Sequence, residues 1–511
     1  MPETKTAHQV WGAAYCTPKH AYPDTAFLIN CGNGTGFGHT LCIIHDFFSY
    51  NNRVIRRLGD QLEAALSGRD MRLLRLVARA AQSLGLPLYM VGGLPRDLAL
   101  GRAPSDFDLV VEGSAIQLAA SLAAKHGGRV TAHPRFGTAK WHLEDLAIPW
   151  WSAPATSAGR YPRAQLDLIS ARSEAYNGPA QLPQVRPGTI EDDLQRRDFT
   201  INTLAIRLDG RQFGRLLDPL GAMEDMQRGA IRVLHDKSFI DDPTRMFRAV
   251  RYEQRLGFII ASETLRLMTD SRRWIGLLSA HRLRQELDQI LGEDRAAAMV
   301  HRLGGLGLLR AVHRSLPADR GTIRRLESGQ LKHSKSRDTV GDGKGRTRRW
   351  LLWLMDLSPA QIKSVRQRLQ FDNRLAAELL AASGLRRSIK KLIRFAPSVV
   401  SEQLKSLPLP AVEAVFWSAA PGAQRQLLKK YLTTWQHVRT RTTGADLRAL
   451  GILPSPAYRV VLQALRAAWI DGRIRTAAEE KHLLEELVGR LNRSESHGAA
   501  KSRGRRESRD T

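Results

Sequence analysis

Apolar spacing divides the chain into stretches of different character. Leu58, Leu62, Leu66, Leu73, Leu74, Val77 and Ala81 recur at helical spacing, which predicts helices between Arg53 and Leu84. Short apolar runs follow at Leu88–Val91, Asp106–Val111 and Gln165–Ala171, with a further strand signal around RFGTAKW, residues 135–141. Gly92-Gly93 ends the first strand in a tight turn, and Pro95 suits the first turn of a short helix. Residues 113–128 read as a helix stopped by Gly127-Gly128. A proline-bearing loop, 176–188, precedes a predicted helix over 191–206 with acids in its first turn. Another helix is expected from about Asp241, and beyond Leu291 the periodicity is almost wholly helical.

Three segments break the pattern. Residues 1–52 are glycine-rich without a period and read as a poorly ordered extension. Their G-x-G fragments lack the strand–turn–helix context of a dinucleotide site. Residues 316–349 read as a basic linker, and 493–511 as a disordered basic tail. The expected division is a head with leading helices over 53–217, a helical neck over 218–291 and a helical body and tail over 292–492.

Chemistry gathers in the head. Residues two apart on a strand share a face, so Asp106 and Asp108 project together. Such a carboxylate pair repels itself unless a cation sits between, and hard ions such as Mg2+ favour oxygen ligands. The Gly92-Gly93 turn aims backbone N–H groups and a helix N-terminus at the same place, which suits an anion. Together these features suit in-line phosphoryl or nucleotidyl transfer. Asp167, on the third strand, is either a further catalytic carboxylate or an ordinary strand-edge residue.

Two later stretches extend the site. Asp198 and Asn202 lie four apart, placed to bond a ribose hydroxyl, while Arg196 or Arg197 can fork onto phosphate oxygens. Asp242 and Arg245 lie three apart, with Arg248 and Arg251 continuing the row. Cytosine and adenine both place a donor amine beside an acceptor ring nitrogen, which an Asp and an Arg can match. Uracil and guanine reverse that pattern. The structural alternative for the Asp242–Arg245 pair is a surface salt bridge.

Composition narrows the class. The 511 residues include 78 Lys+Arg against 50 Asp+Glu, a net charge of +28, which favours a polyanionic partner such as nucleic acid. No run reaches the roughly 18 apolar residues of a membrane span, and no secretory signal is evident. Only Cys16, Cys31 and Cys42 occur, a set that argues against a disulfide scaffold and fits a reducing cytoplasm. Nearby His20, His39 and His45 match no zinc spacing.

Several motifs in order carry a resemblance. GGLPRD with DFD, then RRDFTIN, then DDPTRMFRAVRY, then LSAHRLRQEL at 278–287 resemble the bacterial-type (class II) tRNA nucleotidyltransferase and poly(A) polymerase family. The resemblance implies an α+β fold: a polymerase-β-like mixed-sheet head followed by helical neck, body and tail. It implies that Asp106 and Asp108 bind catalytic Mg2+, and that Gly93, Arg96 and Arg197 meet the triphosphate. By the same resemblance Asp198 and Asn202 attend the ribose, Asp242 and Arg245 read the base, and Arg248 and Arg251 support the nucleotide. The implied partners are ATP, CTP and tRNA, whose 3′ end would gain CCA. Relatives in the same fold add CC only, A only or poly(A), and a catalytically silent RNA-binding protein is the reading from another class. Pro95 stands where the family usually carries an aliphatic residue.

Overall fold

The computed structural model describes residues 58–103, 107–148, 150–151, 165–328, 343–452 and 454–490. The segments 1–52 and 493–511 lie outside the described residues, as does Asp106.

The head is built on β1 (Leu88–Val91), β2 (Asp108–Val111), β3 (Gly127–His133), β4 (Thr138–Leu146) and β5 (Gln165–Ser170). A short ribbon, β6 (Arg172–Ala175) with β7 (Gln184–Pro187), precedes the last strands β8 (Ala205–Arg207) and β9 (Leu216–Leu217). The main sheet runs β3-β4-β5-β2-β1-β8-β9. Its β2–β5 pair is parallel and its other pairs are antiparallel, so the sheet is mixed, as expected.

Strand alternation sorts the two faces. Leu109 and Val111 of β2, Leu166 and Leu168 of β5, and Trp141 and Leu143 of β4 join the buried cluster under the helices Gly68–Ser83 and Ala115–His126. The intervening positions turn the other way, where Val91, Val110 and Ala205 pack with Ile190 and Leu194 of the helix Ile190–Gln195. Asp108 and Asp167 sit on this second face, in register with each other on β2 and β5.

Two expected helices differ. The helix predicted over 191–206 stops at Gln195, after a capping box made by Thr189 and Asp192. Asp198 turns its carboxylate back to accept the Phe199 N–H at 2.9 Å, and Phe199 is extended and fully buried. β-Branched Thr200, Ile201 and Thr203 resist an α-helix, and the chain makes a single 3-10 turn before joining the sheet as β8. The helix expected from Asp241 instead runs Thr244–Leu256, because Pro243 pushes Asp242 into an extended conformation. Asp242 then accepts the N–H of Thr244, the first residue of the helix, at 2.9 Å.

From the neck onward the described chain is mainly helical. Helices Thr244–Leu256, Ala280–Gly292 and Ala296–Gly305 bury Phe247, Leu287 and Val300. The expected linker over 316–349 is structured at both ends: Arg320–Ser328 and Gly343–Leu354 are helices, the second ending in buried Trp350 and Trp353. No described helix is long and apolar enough to cross a membrane.

Candidate active site

A cleft of about 320 Å³ opens between the second face of the sheet and the neck. Gly92, Gly93 and Asp108 form its sheet side, Arg197, Asp198 and Asn202 the wall after the helix Ile190–Gln195, and Asp242, Arg245 and Arg248 the neck side. With Arg196, which lines the same wall, ten sequence-predicted residues therefore converge. The remaining four behave differently.

Arg96 is buried behind the wall. It donates to Asn202 Oδ1 at 2.7 Å and twice to Asp97 Oδ1, at 2.9 and 2.7 Å. It therefore braces Asn202 from behind instead of lining the cleft. Arg251 also lies off the cleft, tied to Glu286 at 3.5 Å and hydrogen-bonded to Gln289. Asp167 is one strand from Asp108 but pairs with Lys140 at 3.4 Å. Asp106, which β2 would extend toward, lies outside the described residues.

The Gly92 turn is conformationally specific. Its φ is +75°, and a Cβ there would meet the Arg197 guanidinium at 2.9 Å and Asp108 Oδ2 at 3.5 Å. A side chain at this position would thus be strained and would crowd the residues that bracket the turn.

Carboxylates anchor the arginines. Fully buried Asp193 accepts from Arg196 at 2.6 Å and Arg197 at 3.0 Å. The spacings are i,i+3 and i,i+4, reaching back from just past the end of the helix Ile190–Gln195. Glu174 accepts from Arg172 at 2.9 Å, Arg196 at 3.2 Å and the Tyr176 hydroxyl at 3.0 Å. Arg248 reaches Asp198 Oδ2 at 2.7 Å. Burial pushes the Asp198 carboxyl up, but Arg248, the Asn202 amide, Arg245 and the Phe199 N–H together hold it below the ordinary range. Asp198 in turn raises Arg248, against the opposing effect of burial.

The base-reading candidates are also braced. Asp242 Oδ1 accepts from Thr244 Oγ1 and from Arg282, each at 2.6 Å. Arg245 donates to Ser238 Oγ at 2.7 Å and to the Arg196 carbonyl at 2.8 Å. Two of its five N–H groups are therefore committed.

Sequence reasoning missed Glu174, Tyr176 and Tyr252, all of which line the cleft. Tyr252 was findable, because it follows Arg248 by four on one helix face. Glu174 and Tyr176 were not, since the pairing of β6 with β7 that brings them to the cleft has no signal in a proline-bearing stretch that reads as a loop over 176–188.

Two observations bear on a metal. Asp108 and Asp167 project from paired positions on one sheet face, and Asp167 Oδ1 accepts no hydrogen bond of good geometry, its nearest cation being the Lys140 ammonium at 3.4 Å. An oxygen in that state, beside a second carboxylate, fits a hard divalent cation. Among the described residues no group of three or more His, Cys, Asp or Glu gathers as a metal cluster.

A mixed sheet with a Gly-Gly turn against a strand-borne Asp, faced by an arginine-rich helical neck, defines a nucleotidyltransferase head. The description "Poly A polymerase head domain" matches residues 88–232, and "Probable RNA and SrmB-binding site of polymerase A" matches 257–319. The chain is 30% identical over 431 residues to a CC-adding tRNA nucleotidyltransferase of Deinococcus radiodurans, covering 84% of this chain and 97% of that one. It is 32% identical over 463 residues to an A-adding tRNA nucleotidyltransferase of Geobacter sulfurreducens, covering 87% of this chain but spanning only 50% of the relative. Among solved structures, the Thermotoga maritima CCA-adding enzyme complexed with tRNA superposes with a TM-score of 0.68 at 27% identity, over 85% of this chain and 99% of that one. The chain belongs to the bacterial-type tRNA nucleotidyltransferase and poly(A) polymerase family.

Proposed function

We propose that this protein adds CMP and AMP from CTP and ATP to the 3′ end of tRNA without a nucleic acid template, using Mg2+. The observation that carries the reading is the convergence of Asp108, Arg197 and the Asp242–Arg245 pair on one cleft. Arg196 and Arg197, oriented by Asp193 and Glu174, present cations to the triphosphate beside the Gly92-Gly93 turn. Asp198 and Asn202, linked at 2.9 Å, face the ribose. Asp242 accepts from the amine of cytosine or adenine, and Arg245 donates to the neighbouring ring nitrogen. Asp108, Asp167 and, from its sequence position, Asp106 would hold Mg2+, which neutralises charge on the transferred phosphoryl group.

A second reading, addition of A alone, is favoured by the similarity to the A-adding Geobacter enzyme. Incubating the pure protein with tRNAs lacking CCA, CA or A, and with each NTP singly and mixed, separates the readings. Full CCA restoration supports the first, and activity only on tRNA lacking the terminal A supports the second. No incorporation on any of them refutes both.

A further inference from the structure

Lys140 is unaccounted for by the site as described. It stands on β4 in register with Asp167 of β5, which is in register with Asp108 of β2. Paired positions on neighbouring strands share a face. Its neighbours Ala139 and Trp141 turn into the opposite, helix-covered core. Lys140, Asp167 and Asp108 thus form a row across three strands on the cleft face, and strands about 4.8 Å apart put the ends of the row roughly 10 Å apart.

The row is electrostatically unusual. The Lys140 ammonium lies 3.4 Å from Asp167 Oδ1, an oxygen covered from water and without a hydrogen bond of good geometry, on a side chain that is itself 43% exposed. The lysine itself is 40% exposed, so its head can retreat into water at little cost. A divalent ion bound at that oxygen would set two like charges side by side at short range, and they repel.

We propose that Lys140 is the resident counter-ion of Asp167 and competes with the catalytic divalent cation for it. Lys140 is on this view a positioning residue: it holds the third carboxylate in place while no metal is bound, and it weakens metal capture by the repulsion it adds. The inference rests on the reading of Asp108 and Asp167 as metal ligands.

Direct Mn2+ binding to the full chain, followed by electron paramagnetic resonance without nucleotide, tests it. Lys140→Met should tighten Mn2+ binding roughly three- to tenfold at low salt, an effect that shrinks as salt screens the charge. Lys140→Gln should do the same, and Lys140→Arg should stay near wild type. In an Asp167→Asn background Lys140→Met should give no tightening. General damage to the fold would weaken binding, so the direction of the change is diagnostic. Unchanged or weaker Mn2+ binding in both Lys140→Met and Lys140→Gln, with Asp108→Asn still abolishing it, overturns the competition. Mn2+ binding that survives Asp108→Asn overturns the metal site itself, and the competition with it.

Discussion

Asp242→Asn should invert the base choice at one atom. Among the described residues, every hydrogen bond this carboxylate accepts falls on Oδ1: from Thr244 N at 2.9 Å, and from Thr244 Oγ1 and Arg282, both at 2.6 Å. Asparagine can keep its carbonyl oxygen there, preserving the bond to the first N–H of the helix Thr244–Leu256. The second oxygen becomes an NH2 donor, facing the amine of cytosine or adenine with a like group and the carbonyl of uracil or guanine with a partner. One mispaired polar contact at a half-buried site costs about 1–3 kcal/mol. At about 1.4 kcal/mol per tenfold, the kcat/KM preference for CTP over UTP should fall by roughly 5- to 150-fold. Arg282 meanwhile keeps a hydrogen bond to the carbonyl oxygen but loses an ionic partner whose side chain is 21% exposed, at a cost of about 1–3 kcal/mol of stability. Single-addition kinetics with each of the four NTPs on tRNA measure the ratio, and a melting curve confirms the fold. A folded variant that keeps the wild-type preference would show that the base is read elsewhere.

Asp108→Ala should abolish nucleotide addition, while tRNA binding in a filter assay changes little because the phosphate contacts expected of the helical half do not involve this carboxylate. Gly92→Ala should cost about 1–2 kcal/mol in urea denaturation from its positive φ, and should lower kcat/KM by displacing Arg197. The Asp198 carboxyl titrates below its ordinary value of 3.8 in the folded chain, so its ionised form adds stability above that pH and the contribution is lost as pH falls through the depressed value. Arg248→Met should therefore destabilise strongly at neutral pH, and the gap to wild type should close on acidification below pH 3.8, as read by urea titrations at several pH values. Affinity for tRNA should fall steeply between low and physiological salt, given the net charge of +28, and a flat dependence would mean that charge is not used on RNA.

What the sequence made legible followed from local rules. Alternation and turn residues found β1 and β2, and with them the face carrying Asp108. Spacing brought Asp198 and Asn202 together, although the reason given for it was wrong: they meet across a 3-10 turn, hydrogen-bonded at 2.9 Å, and not on one helix. Pro243 should have been read as excluding Asp242 from the helix, since a residue before proline avoids the α region. What stayed hidden was set by contacts remote in sequence. The family resemblance implies that Arg96 meets the triphosphate, yet its guanidinium donates to Asn202, 106 residues later. Lys140 looks like one of many surface lysines until β4 is paired with β5.

The charge balance of the cleft explains why so many arginines there are tied down. Its lining holds four arginines, Arg196, Arg197, Arg245 and Arg248, against four carboxylates, Asp108, Glu174, Asp198 and Asp242, so its formal charge is zero. On the proposed reading a triphosphate would meet a wall whose donors are oriented and whose own formal charges balance. Orientation comes from links between elements distant in sequence: Arg248 to Asp198 joins neck to head, Arg245 to the Arg196 carbonyl does the same, and Arg282 joins Asp242 to the Ala180 carbonyl at 2.9 Å. Removing any charged member leaves its partner uncompensated, a larger penalty than the pair's own net contribution. On the proposed reading the chain's residues would supply geometry and selectivity, and the divalent ion would add positive charge at the transferred phosphoryl group. If Asp167 holds the ion, the lysine 3.4 Å from its carboxylate is better placed to oppose metal entry than to bind the nucleotide.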